Sequence, residues 1–181
     1  MNVLESFSLK GKVALVTGGA GLYGRQIVEA LAEAGAETYI ASRNLESLQQ
    51  VAKEEVERGH NVTAMKLDLS EDDSIENLHR DIIEKSGKCD ILINNAVSRE
   101  FGSAGWKNTL DDFDKSLRIN ASALFKITQL FSEDMKKNNS GSIINIGSMM
   151  GTVGVENGNY EGTDFTPATS PLYFYEKGGM H

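Results

Sequence analysis

A chain of 181 residues, 40% hydrophobic and 24% charged, has enough apolar material for one well-packed core and falls within the size of a single domain. Its formal net charge of −8, with no Lys/Arg-rich run to offset it, repels a phosphate backbone, so no nucleic-acid partner is expected. The start "MNVLESFSLKGK" has no apolar stretch of signal-peptide length and nothing later approaches the ~20 apolar residues of a membrane span, which predicts no membrane partner. The single cysteine, Cys89, cannot form an internal disulfide and fits a cytoplasmic location, where it reads as a buried structural thiol.

In chain order, short β-type runs alternate with longer stretches of helical period. "VALVT" (13–17), "ETYIAS" (37–42), "NVTAMKL" (61–67), "DILIN" (90–94) and "SIINIG" (142–147) are the strand candidates. Between them lie "RQIVEALAEAG", "LESLQQVAKEEVERG", "DSIENLHRDIIEKSG" and a long helical stretch, "LDDFDKSLRINASALFKITQLFSEDMKK". In the last, Phe113, Leu117, Leu124, Phe131 and Met135 repeat at helix-face spacing. Gly35, Gly59 and Gly87 sit where left-handed helix caps are needed. Strict alternation of strand and helix predicts an α/β fold with a doubly wound parallel sheet. Residues 149–170, rich in Gly, Asn and Thr, are too long for an ordinary connection and read as a substrate loop. His60, His79 and His181 read as solvated or terminal residues, with no spacing that suggests a metal site.

The first strand runs into "TGGAGLYGRQIV", so Gly18, Gly21 and Gly24 occupy the turn before the first long helix. Backbone N–H groups at such a helix start can hold a pyrophosphate, and bulky side chains would block it. The second strand ends in Ser42 and Arg43, where an NAD-binding protein usually offers a carboxylate to the adenosine ribose. A guanidinium grips a 2′-phosphate in two-pronged fashion and a serine hydroxyl can add a bond, so this pair predicts NADP, with NAD possible.

These motifs, with "LDLS" (67–70), "ILINNA" (91–96), "INAS" (119–122), "INIGS" (144–148) and the Tyr173/Lys177 pair, resemble the short-chain dehydrogenase/reductase family from about Leu9 to Lys177. The resemblance implies a three-layer α/β/α Rossmann fold that stops after its fifth strand, so an incomplete chain is expected. It also implies a homo-oligomer, a small-molecule substrate, and Tyr23 beside the glycines as a further cofactor contact. Asp68 and Leu69 would flank the adenine, Asn95 and Ala96 would line the cofactor ribose, and Asn120, Ser148, Tyr173 and Lys177 would form the catalytic tetrad. The spacing Gly18-x-x-Gly21-x-x-Gly24 and the 25 positions from Ser148 to Tyr173 lean toward the family's extended branch, and Val97 departs from the family pattern by replacing the glycine that commonly follows "NNA".

Helix geometry selects between two tyrosines near the end, because residues four apart share a face and residues two apart do not. Tyr173 is therefore expected to work with Lys177, and Tyr175 is not. A phenol exchanges protons near neutral pH only with help, and a close ammonium favours the phenolate. Ser148 at a strand end is placed to hydrogen-bond a substrate oxygen as charge grows on it. By the family likeness, Asn120 would bind a relay water. From Asn138 to Glu176 there is no Lys or Arg, while Glu156, Glu161, Asp164 and Glu176 are acidic, which suits a polyhydroxyl, sugar-like or otherwise polar neutral substrate rather than a phosphorylated one. The reading is an NADP-preferring oxidoreductase acting on an alcohol/carbonyl pair. The alternatives are a nucleotide-sugar epimerase or dehydratase with tightly bound NAD(P), or a dinucleotide-binding module without catalysis.

Overall fold

The computed structural model describes residues 2–101, 104–164 and 171–179. They fall into two compact units, Met1–Ala96 with Leu124–Ile146, and Val97–Ala123 with Gly147–His181.

The first unit begins with a short helix, α1 (Val3–Ser6), whose N-cap Asn2 forms a capping box with Glu5. It continues as β1 (Val13–Thr17), α2 (Leu22–Glu33), β2 (Glu37–Ser42), α3 (Leu45–Glu57), β3 (Val62–Lys66), α4 (Asp72–Ser86) and β4 (Ile91–Asn94). Helix α6 (Ala123–Lys137), all but its first residue, and β5 (Ser142–Asn145) complete it. All strand pairs are parallel, in the order β3-β2-β1-β4-β5. The chain order reverses at β1, which pairs with β2 on one side and β4 on the other. In such sheets ligands bind at the carboxyl ends of the strands beside the switch.

Every residue of β1 is buried, which is why "VALVT" reads as apolar without alternation. Val16, Val28, Ile40, Leu48, Val51 and Ile93 form one core cluster, each side chain contributing about 1.5–3 kcal/mol by leaving water. Strand β5 is the edge strand, with Ile144 44% exposed. Beneath the strands, Asp90 receives the Val13 N–H at 2.9 Å and pairs with Lys12 (3.2 Å) and Lys88 (2.9 Å). Burial pushes its carboxyl up, but the bonds from Lys88, Val13 and Lys12 win and hold it below the usual carboxylate range. Cys89 is the expected buried thiol, donating to the Ile91 carbonyl, and burial pushes it up to about 12.

Two expectations are corrected here. His60 and His79 are not solvated: His60 bonds Glu55 at 2.7 Å, and His79 meets Asp134 at 2.6 Å with its ring edge-on to Phe131. His181 lies outside the described residues. The long helical stretch is not continuous either. Helix α5 (Leu110–Leu117) passes into a π turn, Arg118–Ser122, before α6 begins. The extra residue in that turn shifts the register, so the buried face of α6 is Ile127, Phe131 and Met135, and Leu124 is only half-buried.

The second unit holds α5, opened by a Thr109/Asp112 capping box, and the π turn. It also holds 3₁₀ turns at Gly105–Lys107, Met149–Gly151 and Asn157–Tyr160, and helix α7 (Pro171–Gly178). Of the expected substrate loop, 149–164 is described as these turns and bends, and 165–170 lies outside the described residues.

Candidate functional site

Ten of the residues singled out from the sequence stand at the carboxyl ends of β1, β2, β3 and β4 in the first unit. Gly18 has φ 70°, a conformation that side chains resist, and its carbonyl accepts the Gly21 N–H at 3.0 Å. Gly24 faces that same carbonyl so closely that a Cβ there would collide with it. Gly21 caps α2 with no side-chain bond, so the helix begins on open backbone N–H groups. Tyr23 is on the first turn of α2 and exposed.

Asn95 turns out to be a clamp on this turn. Its side-chain amide donates to the carbonyls of Thr17 (3.0 Å) and Gly18 (3.2 Å). The backbone N–H groups of Asn95 and Ala96 both donate to the Thr17 hydroxyl, at 3.1 and 3.0 Å. Both amide hydrogens of Asn95 are therefore spent on the glycine turn. Thr17, which carries this clamp, was not singled out from the sequence, where it is one more β-branched strand residue.

At the end of β2, Ser42 is half-buried and Arg43 exposed, and Lys66 at the end of β3 donates to the Arg43 carbonyl at 2.8 Å. A second cation thus stands beside the pair expected to meet a 2′-phosphate. Asp68 accepts from the hydroxyl and N–H of Ser70, which hold its carboxyl below the usual range, and its own N–H donates to Ser74. Leu69 next to it is half-buried.

The four expected catalytic residues lie together in the second unit. Lys177 is buried, and its Nζ stands 5.9 Å from the centre of the Tyr173 ring. Burial pulls the Lys177 ammonium below the ordinary lysine range, while Tyr173 and Glu176 act against that and Arg99 adds to it. Tyr175 is 62% exposed and packs on Phe113, with ring centres 5.3 Å apart. Ser148, half-buried, accepts the Met150 N–H at 3.2 Å and so caps the 3₁₀ turn while keeping its own O–H for another acceptor. Asn120 is buried within the π turn and hydrogen-bonded to Ser98, Ser116 and Glu176. Such turns recur at functional sites because they aim one side chain out of helical register.

Two partners of this group were not found from the sequence. Arg99 holds its guanidinium 5.0 Å from the Tyr173 ring centre, and Glu176 is buried beside Ser116 and Asn120. Neither belongs to a local motif, since each meets its partners across more than fifty positions.

A family model described as short chain dehydrogenase matches residues 12–162. The 2-dehydro-3-deoxy-D-gluconate 5-dehydrogenase of Bacillus subtilis is 36% identical over 152 residues, 81% of this chain and 56% of that protein. Among solved structures, a gluconate 5-dehydrogenase from Burkholderia cenocepacia in complex with NADP and tartrate superposes with a TM-score of 0.81 at 26% identity. The match covers 99% of this chain and 65% of that one. An NAD+-bound xylitol dehydrogenase gives a TM-score of 0.80 at 28% identity, covering 94% of this chain and 61% of the other. The chain spans little more than half the length of the curated relatives it matches. With the glycine turn, the strand order and the Tyr173/Lys177 pair in place, the chain belongs to the short-chain dehydrogenase family.

Proposed function

We propose that the protein is an NADP-preferring oxidoreductase that interconverts an alcohol and a carbonyl on a small, sugar-like substrate, and that this substrate carries a carboxylate. The observation that carries the reading is the setting of Tyr173, whose ring has the Lys177 ammonium at 5.9 Å and the Arg99 guanidinium at 5.0 Å. The residues of the first unit fit a dinucleotide: a turn that a Cβ would fill at Gly24, bare N–H groups at the start of α2, and Arg43 with Lys66 for a 2′-phosphate.

When bound, the nicotinamide supplies or takes up the hydride. Tyr173 gives a proton to the carbonyl oxygen or removes it from the alcohol, and Lys177 favours the phenolate between those events. Ser148 donates its hydroxyl hydrogen to the same oxygen, where negative charge grows. Asn120 holds a water that connects the site to solvent. Arg99 takes the substrate carboxylate. The acidic loop residues Glu156, Glu161 and Asp164 suit hydroxyl groups, and Arg99 supplies the cation that the loop lacks. Sugar-acid dehydrogenases among the relatives support this substrate class.

The test is titration with NADPH and NADH followed by nicotinamide fluorescence, then turnover on a panel of sugar acids, neutral polyols and simple ketones. Tighter NADPH binding and turnover confined to sugar acids support the proposal. Failure to bind either dinucleotide, or turnover of simple ketones alone, refutes it.

A further inference from the structure

The mechanism above brings the Ser148 hydroxyl and the Tyr173 phenol to one substrate oxygen, so the spacing between the turn that carries Ser148 and the helix that carries Tyr173 matters as much as the groups themselves. One backbone contact in the second unit bears on that spacing. Gly151 closes the 3₁₀ turn Met149–Gly151 and rests on the last turn of α7. A Cβ built on Gly151 would stand 2.6 Å from the Lys177 carbonyl oxygen, 2.7 Å from the Lys177 carbonyl carbon and 3.0 Å from the Gly178 nitrogen. From the other side, a Cβ on Gly178 would meet the Gly151 carbonyl oxygen at 3.2 Å. Two glycines thus let backbone touch backbone. Neither has a positive φ, so an alanine could adopt either conformation; at Gly151 it is the space that is lacking.

The turn carries this contact to Ser148. The Gly151 N–H donates to the Ser148 carbonyl at 3.0 Å and Ser148 Oγ accepts the Met150 N–H at 3.2 Å, so both the backbone and the side chain of Ser148 are tied to the residues that rest on α7. On the helix the contact falls on the backbone of Lys177, whose buried side chain ends 5.9 Å from the centre of the Tyr173 ring. Backbone atoms cannot swing aside as the end of a flexible side chain does, and packed protein passes the strain on. A methyl group at position 151 must therefore drive the turn and α7 apart by several tenths of an ångström to reach an ordinary contact. Ser148 moves with the turn, and Tyr173 and Lys177 with the helix. A glycine needed only for packing would cost the same when filled whatever stood at position 148. One that sets a catalytic spacing costs turnover only while the Ser148 hydroxyl is present.

We propose that Gly151 is a positioning residue: its contact with the backbone of Lys177 and Gly178 sets the distance from the Ser148 hydroxyl to the Tyr173 phenol. The consequence for turnover rests on the oxidoreductase reading, but the spacing itself does not.

The experiment uses the whole polypeptide with Gly151→Ala, Ser148→Ala and the two combined. Turnover is measured with NADP and whichever sugar acid of the panel is oxidised, at a temperature where circular dichroism shows every variant folded. Gly151→Ala is expected to lower kcat by about ten- to a hundredfold, with KM and NADPH affinity within about threefold of the unaltered protein. The double variant is expected to be no slower than Ser148→Ala, because the glycine acts through the serine. Unchanged kcat in Gly151→Ala, a loss carried by KM, or losses that multiply in the double variant overturn the proposal. Should Gly151→Ala fail to fold, Gly178→Ala presses on the same contact more gently and carries the same test, with a smaller loss of kcat expected and an unchanged kcat overturning the proposal. Crystal structures of the unaltered protein and of the folded glycine variant test the spacing without any substrate. The distance from Ser148 Oγ to Tyr173 Oη is expected to change by several tenths of an ångström, and equal distances overturn the proposal even if turnover falls. If Ser148→Ala retains full activity, the oxidoreductase reading of Ser148 fails by itself, and the two crystal structures still decide whether Gly151 sets the spacing.

Discussion

The Lys177 ammonium lies 5.9 Å from the centre of the Tyr173 ring, whereas Tyr175, on the same helix, is exposed and packs at a tilt against Phe113. Four-residue spacing brings the first phenol to the lysine and two-residue spacing carries the second away from it. Tyr173→Phe should therefore lower kcat by about 10²–10⁴-fold, as expected for a lost general acid, with NADPH affinity nearly unchanged. Tyr175→Phe removes only a hydroxyl from an exposed ring and should cost far less. Steady-state kinetics on the two variants decides the matter, and reversed effects would mean that the proton donor has been misassigned.

Arg43 and Lys66 meet at the ends of β2 and β3, where Lys66 bonds the Arg43 carbonyl. Arg43→Glu places a carboxylate where a 2′-phosphate would bind. One charge-assisted bond is worth about 1.5–3 kcal/mol, or roughly ten- to a hundredfold in affinity. The variant should lose at least tenfold in NADPH binding while NADH binding holds or improves. Equal losses for both dinucleotides in fluorescence titrations would remove Arg43 from the cofactor site.

Asp90 makes a stability prediction that does not depend on catalysis. Its folded carboxyl titrates below the ordinary range, so the charged form is favoured by folding. The stabilisation is fully present above the unfolded pKa of about 3.9 and fades as pH falls through the lower folded value. Asp90→Asn keeps the size but leaves Lys12 and Lys88 without their anion. It should lower stability by about 1–3 kcal/mol at pH 7. The gap from the unaltered protein should close as the pH drops below about 4. Urea unfolding at pH 7 and pH 3 checks this, and a gap that is constant with pH would show that charge is not the cause.

The sheet was legible because its signals are local. "VALVT" and "DILIN" are short apolar runs between turn residues, and Gly18 and Gly24 mark the turn by what they lack. The Tyr173/Lys177 pair was legible for the same reason, being four positions apart on one helix. The surroundings of that pair were not. Glu176 counts in the sequence as one more acid of a stretch without Lys or Arg, and only the packing that brings it to Ser116 and Asn120 makes it buried and hydrogen-bonded. The π turn was hidden too, because "RINAS" within a long amphipathic run carries no breaker, and helical periodicity reads straight through it. His79 was misjudged on similar grounds, since its partner Asp134 is 55 positions away.

Arg99 is the residue through which the substrate class can be tested. Its guanidinium stacks on the Tyr173 ring at 5.0 Å, and such a contact at an exposed site contributes only about 0.5–1 kcal/mol. A two-pronged bond to a carboxylate contributes more, about 1.5–3 kcal/mol, so a substrate acid can engage the guanidinium even at the expense of the stack. Arg99→Gln keeps a long polar side chain but loses the charge and the fork. Its kcat/KM should fall at least tenfold for sugar acids and change less than threefold for neutral polyols, with the loss mainly in KM because the carboxylate is bound alike in ground and transition states. NADPH affinity should not move. If acids and polyols lose equally, Arg99 serves Tyr173 rather than the substrate, and the carboxylate must be dropped from the proposed substrate class.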